Sequence, residues 1–505
     1  MATSILRLLS RSWGLALACA AIQSASAFSV FGPAEGWQVP TLDYVTRYYY
    51  PVPSIGDVEI GGPKNYGQGS RLNTPIVTYG FDVTFLTYFG VKGVEAVDSA
   101  MAVLNALPAA SATVPSKFLM QGNQQINYTA QALDMTDLKS TVLSLMLEHM
   151  GLNGETHIWD LHTRNGLTGP PPCLFEYVVL NRSYDPATYL PSSYVNGVNY
   201  TYQIWDGCPV SVAVADAIEF PVDGASAAEL TFTAVATRYA LAPGGYYLGL
   251  TYDDVGGLKY LYSENNLAFE ALDPTSVASS LTAGGSPWDG VSETNGVAGA
   301  GGSAFVAGYL GGVEKITYVK LPSATILGGT FTPRTFSYNI SALTTKGALT
   351  SLHITRTVTQ PDIVFSAGDL VGNTTGGAPF TYSAYARNFN FINSGAAVVG
   401  TGVVPEVISP QETITFNDVA PIFVNFTTTF LNGGTGEFPI LLWGSFDGTT
   451  NTPVLYPSGS SIAQLTAALF SGANSSSGSQ STTWLGLTLG TNAAAVGAAG
   501  GAAGS

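Results

Sequence analysis

Three of the four histidines in this 505-residue chain lie within one stretch, Leu145–His162 (LMLEHMGLNGETHIWDLH), together with two glutamates and one aspartate. Zinc accepts imidazole and carboxylate ligands in proteins, so His149, His157 and His162 are the candidate metal ligands of the sequence. If the backbone after Gly151 is extended, His157 and His162 are five residues apart and face opposite ways. They then cannot both meet His149 without a turn. We therefore interpret the stretch as a hydrogen-bonded core histidine followed by two surface histidines.

A helix is expected to carry the first of these histidines. Thr136 is the predicted N-cap, and Gly151 stands just beyond the last turn, where left-handed backbone is common. The apolar positions of this helix are Leu138, Val142, Leu145, Met146 and Met150. His149 falls in the middle of that apolar stripe, so we expect it to point into the core, whereas Glu148 should lie at the edge.

Three pieces of the sequence, in this order, resemble the matrixin branch of the metzincin proteases. The first is GPKNYGQGSRLNTPIVTYGFD, followed by a helix ending in AMAVLNAL, which is similar to the opening strand and first helix of that fold. The second, DLKSTVLSLMLEHMGL, is similar to the active-site helix, and LTYDDVGGLKYLY resembles the closing helix. The resemblance covers residues 62–262 and implies a zincin-like α+β domain.

The chain departs from that family at the residues that the chemistry needs. The family motif is His-Glu-x-x-His-x-x-Gly-x-x-His, with three histidine ligands and a glutamate base. If the glycine of the motif is placed on Gly151, the ligand positions fall on Ser144, Glu148 and Gly154. Leu145 then occupies the position of the base, and an aliphatic side chain cannot activate a metal-bound water.

A second alignment fares no better. Placing the second histidine of the motif on His149 puts Leu145 at the first histidine and Met146 at the glutamate. All six methionines lie at or before Met150, so no methionine is available for the turn beneath the metal. The resemblance therefore implies a degenerate domain that lacks the zinc motif. Any metal held by the candidate histidines would occupy a new site.

Other catalytic motifs are missing from the sequence. It contains no Gly-x-Ser-x-Gly elbow, no P-loop and no dinucleotide-binding Gly-x-Gly-x-x-Gly. Asp253 and Asp254 are interpreted as a helix N-terminus rather than as catalytic acids, and Asp447 as part of a hairpin turn rather than a calcium ligand. Trp37 and Tyr48–Tyr50 could stack on carbohydrate, but we interpret them as a strap over apolar surface. No cofactor is predicted. The metals considered are zinc and calcium.

Export is predicted from the N-terminus. Residues 1–27 read as a signal peptide, with a short apolar core and the small-residue cleavage site Ala25–Ala27. A lipid anchor at Cys19 is the rival interpretation. Cleavage would leave Cys173 and Cys208, and two cysteines in an exported chain most simply form one disulfide.

Charge and composition restrict the class of partner. The net charge is −16 and only 10% of residues are charged, whereas about 25% is usual. An acidic chain poor in lysine and arginine is unsuited to nucleic acid or to anionic membrane surfaces. No apolar stretch has the length of a transmembrane helix. We expect an extracellular ligand, either a polysaccharide or a surface protein.

The predicted fold is an α+β N-terminal domain, zincin-like by the resemblance, followed by an all-β antiparallel sandwich region. Composition and periodicity divide the chain as follows: signal peptide 1–27, aromatic Pro/Gly-rich lead-in 28–62, α+β domain 63–270 with a disulfide-tied insertion at about 163–240, Gly/Ala/Ser linker 271–303, β-sandwich 304–470 and low-complexity tail 471–505. The predicted function is that of a secreted, non-catalytic cell-surface or extracellular binding or structural protein. The competing class is a secreted hydrolase, either a divergent metalloprotease or a carbohydrate-active enzyme.

Overall fold

A computed structural model describes the following residues of the chain: 27–32, 62–133, 135–153, 158–166, 174–206, 208, 215–223, 243–273, 276–280, 307–322, 331–343, 347–367, 385–387, 391–392, 407–408, 410–416, 424–425, 435–436, 442–459, 483–484 and 487–488. The predicted signal peptide up to residue 26, residues 281–303 of the predicted linker 271–303 and most of the predicted tail lie outside these residues.

The described part of the chain contains five α-helices. They are α1 (Val83–Tyr88), α2 (Gly90–Asn105), α3 (Tyr128–Ala132), α4 (Leu138–His149) and α5 (Tyr252–Tyr262). The sequence predicted α2, α4 and α5. The prediction of Thr136 as the N-cap of α4 is wrong, because the cap is Asp137, whose side chain accepts a hydrogen bond from the Ser140 N–H. Thr136 lies in a short strand instead.

Thirty short β-strands accompany these helices in the described residues. Those in the first half of the chain are β1 (Phe28–Gly32), β2 (Gly62–Pro63), β3 (Ile76–Phe81), β4 (Gln124–Ile126), β5 (Met135–Asp137), β6 (Leu152–Asn153), β7 (Trp159–Gly166), β8 (Phe175–Asn181), β9 (Ser183–Tyr184), β10 (Tyr194–Val195), β11 (Val198–Asp206), β12 (Ala215–Pro221) and β13 (Gly245–Tyr247). Those that follow α5 are β14 (Ala268–Ala271), β15 (Ser276–Ser280), β16 (Ala307–Leu310), β17 (Thr317–Lys320), β18 (Arg334–Leu343), β19 (Leu349–Val358), β20 (Ile363–Ser366), β21 (Tyr385–Arg387), β22 (Phe391–Ile392), β23 (Val407–Ile408), β24 (Glu412–Phe416), β25 (Val424–Asn425), β26 (Thr435–Gly436), β27 (Leu442–Ser445), β28 (Val454–Leu455), β29 (Thr483–Trp484) and β30 (Leu487–Thr488).

The central sheet is mixed and has the strand order β17-β3-β20-β24-β21. The first four strands run parallel, and β21 pairs antiparallel at the edge. In β3, Val77, Thr78, Tyr79, Gly80 and Phe81 are all buried. Parallel sheets are normally covered on both faces, and here helices α1 and α2 pack against the strands.

A second sheet is antiparallel, in the order β14-β16-β18-β19-β15. A buried ion pair joins it to the central sheet. Arg356 in β19 donates two hydrogen bonds to Asp362, at 3.0 and 2.5 Å. Asp362 precedes β20, and its Oδ2 also accepts from the backbone N–H and hydroxyl of Thr78 in β3. A single carboxylate therefore fixes the relative position of two sheets.

The sheets cross the predicted domain boundary. Strands β17, β20 and β24 come from the region predicted as a separate sandwich. Nevertheless β17 and β20 pair directly with β3 of the α+β region, and β24 pairs with β20. Strand β14 from the α+β region likewise shares a sheet with β16, β18 and β19. Strand β15 of the same sheet lies within the predicted linker 271–303, so residues 276–280 are part of a sheet. The mixed α+β class agrees with the prediction, whereas a separate sandwich is not confirmed in the described residues.

The β7–β8 hairpin packs against the three-stranded antiparallel sheet β10-β11-β12. We call these five strands the hairpin unit. Apart from the start of β7 at Trp159, it falls within the insertion predicted at about 163–240. Its small core contains Leu161, Ala215 and Ala217. Arg164 in β7 forms an ion pair with Asp206 at the end of β11. This contact joins the β7–β8 hairpin to the three-stranded sheet of the unit.

No helix in the described residues has the length and apolar character needed to cross a membrane.

We expect Asp362→Ala to lower the free energy of unfolding by about 3–5 kcal/mol, because it leaves the Arg356 guanidinium buried without its main counter-charge. Denaturant unfolding measures this change. Glu95→Gln is the matched control, since the exposed Lys92–Glu95 pair should contribute below about 0.5 kcal/mol. Equal effects of the two substitutions would contradict the role given to Asp362.

Candidate functional site

Helix α4, which carries the candidate site, is enclosed by protein. Eleven of its twelve residues are buried, all except Lys139. It packs against α2, β6, β13 and β27. Ser144, Leu145 and Glu148, the positions that correspond to two ligands and the base of the zinc motif, are all among the buried residues. These side chains contribute to packing in the interior.

Two features fix the ends of α4. Asp137 Oδ2 accepts from the backbone N–H and the hydroxyl of Ser140, at 2.8 and 2.6 Å. At the other end Gly151 has φ +100°, and a Cβ there would lie 2.2 Å from the Ser70 carbonyl oxygen. Glycine is therefore required at Gly151 both by the left-handed backbone and by this close approach.

His149 points into the core, as the helix periodicity predicted. Its Nε2 lies 3.5 Å from Oε2 of Glu412, and both side chains are at most 1% exposed. Glu412 opens β24, and its backbone N–H donates to the Asp362 carbonyl. The pair therefore connects the last turn of α4 to the central sheet.

Tyrosine hydroxyls extend this buried polar cluster. Tyr262 in α5 donates to the Met150 carbonyl at 2.7 Å. Burial raises the pKa of Tyr318 in β17 well above its usual range, and the electrostatic influence of Tyr262 and Glu412 acts in the same direction. The cluster around His149 is thus a group of polar side chains buried inside the core. It has the organisation of a structural network rather than of a site open to substrate.

The other predicted metal ligands do not join His149 in the described residues. His162 lies in β7, half-buried, with its Nδ1 2.7 Å from the Thr163 hydroxyl. His157 and Gly154 lie outside the described residues. In the part of the chain that the structure describes, no group of three or more His, Cys, Asp or Glu side chains is placed to hold a metal. Zinc or calcium binding stays a hypothesis.

The acidic pair of α5 stabilises a helix N-terminus, as predicted. The Thr251 hydroxyl and the Asp254 carboxylate form a capping box. Asp253 Oδ2 accepts from the Asn196 N–H at 2.6 Å, so the start of α5 is tied to the hairpin unit.

Asp447 also has a structural contact, accepting from Asn451 Nδ2 at 3.2 Å within a turn. Cys208 follows β11, and its backbone N–H donates to Asp206. Cys173 lies outside the described residues, as do Trp37 and Tyr48–Tyr50. The disulfide and the aromatic strap therefore stay predictions.

Sequence reasoning missed an apolar surface on the hairpin unit. Thr201 faces Phe220, Gln203 faces Ile218 and Trp205 faces Asp216 across the β11–β12 pair. Because alternate residues of a strand share a face, the outer face presents four exposed apolar side chains. They are Trp205 (50% exposed), Ile218, Phe220 (39% exposed) and Val222. We call these four residues the apolar face.

The signal for this face was present but ambiguous. The segment NYTYQIWDGC was predicted as a strand. One alternating set of positions carries Tyr200, Tyr202 and Ile204, whereas in the other set Trp205 follows the polar residues Thr201 and Gln203. Tyr200 and Ile204 pack inward. Which set faces solvent depends on the packing of β7 and β8, which periodicity does not specify.

Comparison with known proteins identifies no relative: no protein-family model matches the chain, and no curated protein or solved structure matches it.

Burial raises the pKa of the Asp137 carboxyl to about 6, although hydrogen bonds from Ser140 and Phe446 oppose the shift. The value in the unfolded chain is about 3.9. As pH falls from 7 to 4 the native state therefore takes up this proton first, and the contribution of Asp137 to stability rises. We expect Asp137→Asn, which keeps one acceptor for the helix cap, to reduce the gain in unfolding free energy between pH 7 and pH 4 by roughly 2–3 kcal/mol. Denaturant unfolding between pH 4 and 7 measures the difference. Identical pH profiles for the two proteins would contradict the assignment.

The contact between His149 and Glu412 is testable by a double-mutant cycle. His149→Leu and Glu412→Leu should each lower the free energy of unfolding by about 3–5 kcal/mol, because each removes one side chain of the buried contact and leaves the other buried without it. In the double variant the loss of unfolding free energy should be smaller than the sum of the two single losses, by about 1 kcal/mol or more. Strict additivity would show that the two side chains do not stabilise each other.

Proposed function

We propose that this protein is a secreted, non-catalytic binding component of the cell surface or extracellular matrix, built on a degenerate protease-like domain. The apolar face is the observation that carries the proposal. In addition, α4, the helix that resembles a catalytic helix, is enclosed on all sides. A hydrolytic helix must expose one face to its substrate, so this arrangement favours a structural role for α4.

The size of the apolar face favours a narrow partner. Four roughly half-exposed apolar side chains present on the order of 400 Å², within the range of functional patches on monomers. A stable protein–protein interface buries about 800 Å² per partner, which is twice that area. A single polymer chain lying across the β11–β12 pair matches the face better than a globular partner does.

The chemistry of the face favours a neutral polysaccharide. Trp205 and Phe220 offer flat rings, and Thr201 and Gln203 place hydroxyl and amide groups on the same side of the pair. Lysine and arginine are absent from these outward positions of β11 and β12, so an anionic polymer has no counter-charge there. Asp216, opposite Trp205, is the charged residue among these positions, and its carboxylate can accept hydrogen bonds from hydroxyl groups. Aromatic rings bordered by hydrogen-bonding groups without a cation suit the mixed apolar and hydroxyl surface of a sugar.

The double variant Trp205→Ser/Phe220→Ser should bind insoluble polysaccharide at least tenfold more weakly than the unmodified protein, since two aromatic contacts are removed. Co-sedimentation with cellulose, chitin, curdlan and starch measures the affinity. Tyr309→Ser/Leu349→Ser, at two other exposed strand positions, is the matched control and should bind normally.

Assaying reducing ends in the same samples distinguishes binding from hydrolysis, and we expect no release above background. The proposal fails if the unmodified protein sediments with none of the four polymers, or if the double variant binds as tightly as the control. Release of reducing ends would favour the carbohydrate-active enzyme instead.

A further inference from the structure

A cluster of tyrosines lies on another surface, formed by two loops. Tyr66 stacks on Tyr189 with ring centroids 5.6 Å apart and planes 27° apart, and it lies 4.6 Å from the ring of Tyr260. Tyr66 is 45% exposed and Tyr189 is half-buried. The two outer rings therefore rest on an aromatic base, and Tyr66 leaves nearly half of its surface open to solvent.

Hydrogen bonds divide these tyrosines into inner and outer pairs. The inner hydroxyls bind the turn that carries Tyr66: Tyr260 accepts from the Gly67 N–H at 2.8 Å, and Tyr184 donates to the Lys64 carbonyl at 3.2 Å. Within the described part of the chain, the hydroxyls of Tyr66 and Tyr189 make no hydrogen bond of this kind. The inner pair thus holds the turn in place, and the outer pair supplies the more exposed rings of the cluster.

The loop that carries Tyr189 is built by its own hydrogen bonds. Asp185 Oδ1 accepts from the backbone N–H groups of Ala187 and Thr188 and from the Thr188 hydroxyl. The Asp185 carbonyl accepts from the Tyr189 N–H. Tyr189 has φ +59°, a conformation that L-residues seldom adopt. The loop therefore holds this ring against Tyr66 despite an unfavourable backbone.

The charges at this cluster select the ligand class. The polar groups that the partly exposed residues carry are the two phenol hydroxyls and the Asp185 carboxylate, of which only Oδ1 accepts the three hydrogen bonds described. The nearby cations, Lys64 and Arg182, are each only 3% exposed. Acceptors without an accessible cation suit a neutral ligand rich in hydroxyl donors, and the ring faces suit the apolar side of a sugar.

We propose that Tyr66, Tyr189 and Asp185 form a second carbohydrate subsite, which binds a neutral hexose unit by ring stacking and by hydrogen bonds to its hydroxyl groups. This inference rests on the proposed function and deepens it, because it assigns sugar-binding chemistry to a second site, formed by residues outside the apolar face. Two weak sites on one chain would raise the avidity for a polymer without any further contact.

Isothermal titration with cellohexaose, chitohexaose and laminarihexaose tests this subsite. We expect the unmodified protein to bind at least one of them, and Tyr66→Ser and Tyr189→Asn each to weaken that binding about tenfold, the loss of one aromatic contact. Asparagine tolerates left-handed backbone, so Tyr189→Asn removes the ring without adding strain. Tyr66→Phe, which keeps the ring, should weaken binding about threefold or less.

Tyr128→Ser is the matched control, because Tyr128 is an exposed tyrosine elsewhere on the surface, 63% exposed. It should bind as the unmodified protein does, and thermal unfolding should show all four variants folded. Unchanged affinity in both Tyr66→Ser and Tyr189→Asn overturns the subsite.

The outcomes separate the two proposals. A protein that sediments with polymer through the apolar face but binds no hexasaccharide overturns the subsite and leaves the proposed function standing. A protein that binds a hexasaccharide through Tyr66 while Trp205→Ser/Phe220→Ser sediments normally supports the subsite and overturns the role of the apolar face. Binding of neither ligand overturns both.

Discussion

The burial of α4 is the constraint on which the rest of the structure depends. The helix is flanked by α2 and by strands from both halves of the chain, and its last turn meets the central sheet through His149 and Glu412. Burying a charge or a hydrogen-bonding group is costly unless the protein interior supplies a counter-charge or a hydrogen-bond partner. The caps at Asp137 and Gly151, the tyrosine hydroxyls near Met150 and the Arg356–Asp362 pair are the matching groups that allow so polar an interior.

This interior also explains where function is expected. Because eleven of the twelve residues of α4 are buried, the proposed binding function is assigned to surfaces that the core supports. The hairpin unit and the two tyrosine loops are such surfaces. The capping residues of α5 contact the hairpin unit at Asn196, and the ring of Tyr260 from α5 lies beneath Tyr66. Both proposed sugar-binding surfaces are therefore positioned by the same helix.

The sequence predicted the local structure well where it depends on neighbouring residues. Helices α2, α4 and α5, the inward direction of His149, the capping box at Thr251 and the helix-terminal role of Asp253 all follow from periodicity and capping rules. Cap assignment failed by one residue, because Thr136 and Asp137 are both acceptable caps and tertiary pairing of β5 with β27 extends the strand through Asp137.

Long-range pairing could not be predicted from periodicity. The partner of His149 is Glu412, in a strand whose alternation is equally compatible with a sandwich, and β3 is flanked by β17 and β20 from far along the chain. The expected sandwich boundary came from composition, which reports on a linker but not on which strands meet. The tyrosine stack was likewise invisible, since Tyr66, Tyr189 and Tyr260 are brought together only by the fold.

Native-state hydrogen exchange of the α4 amides tests most directly whether this helix is a core element. We predict that the amides of Leu143–Leu147 exchange only through global unfolding, so that their opening free energy equals the unfolding free energy measured with denaturant. Opening several kcal/mol below the global value would show that local motion exposes α4, and would contradict its role as a core element.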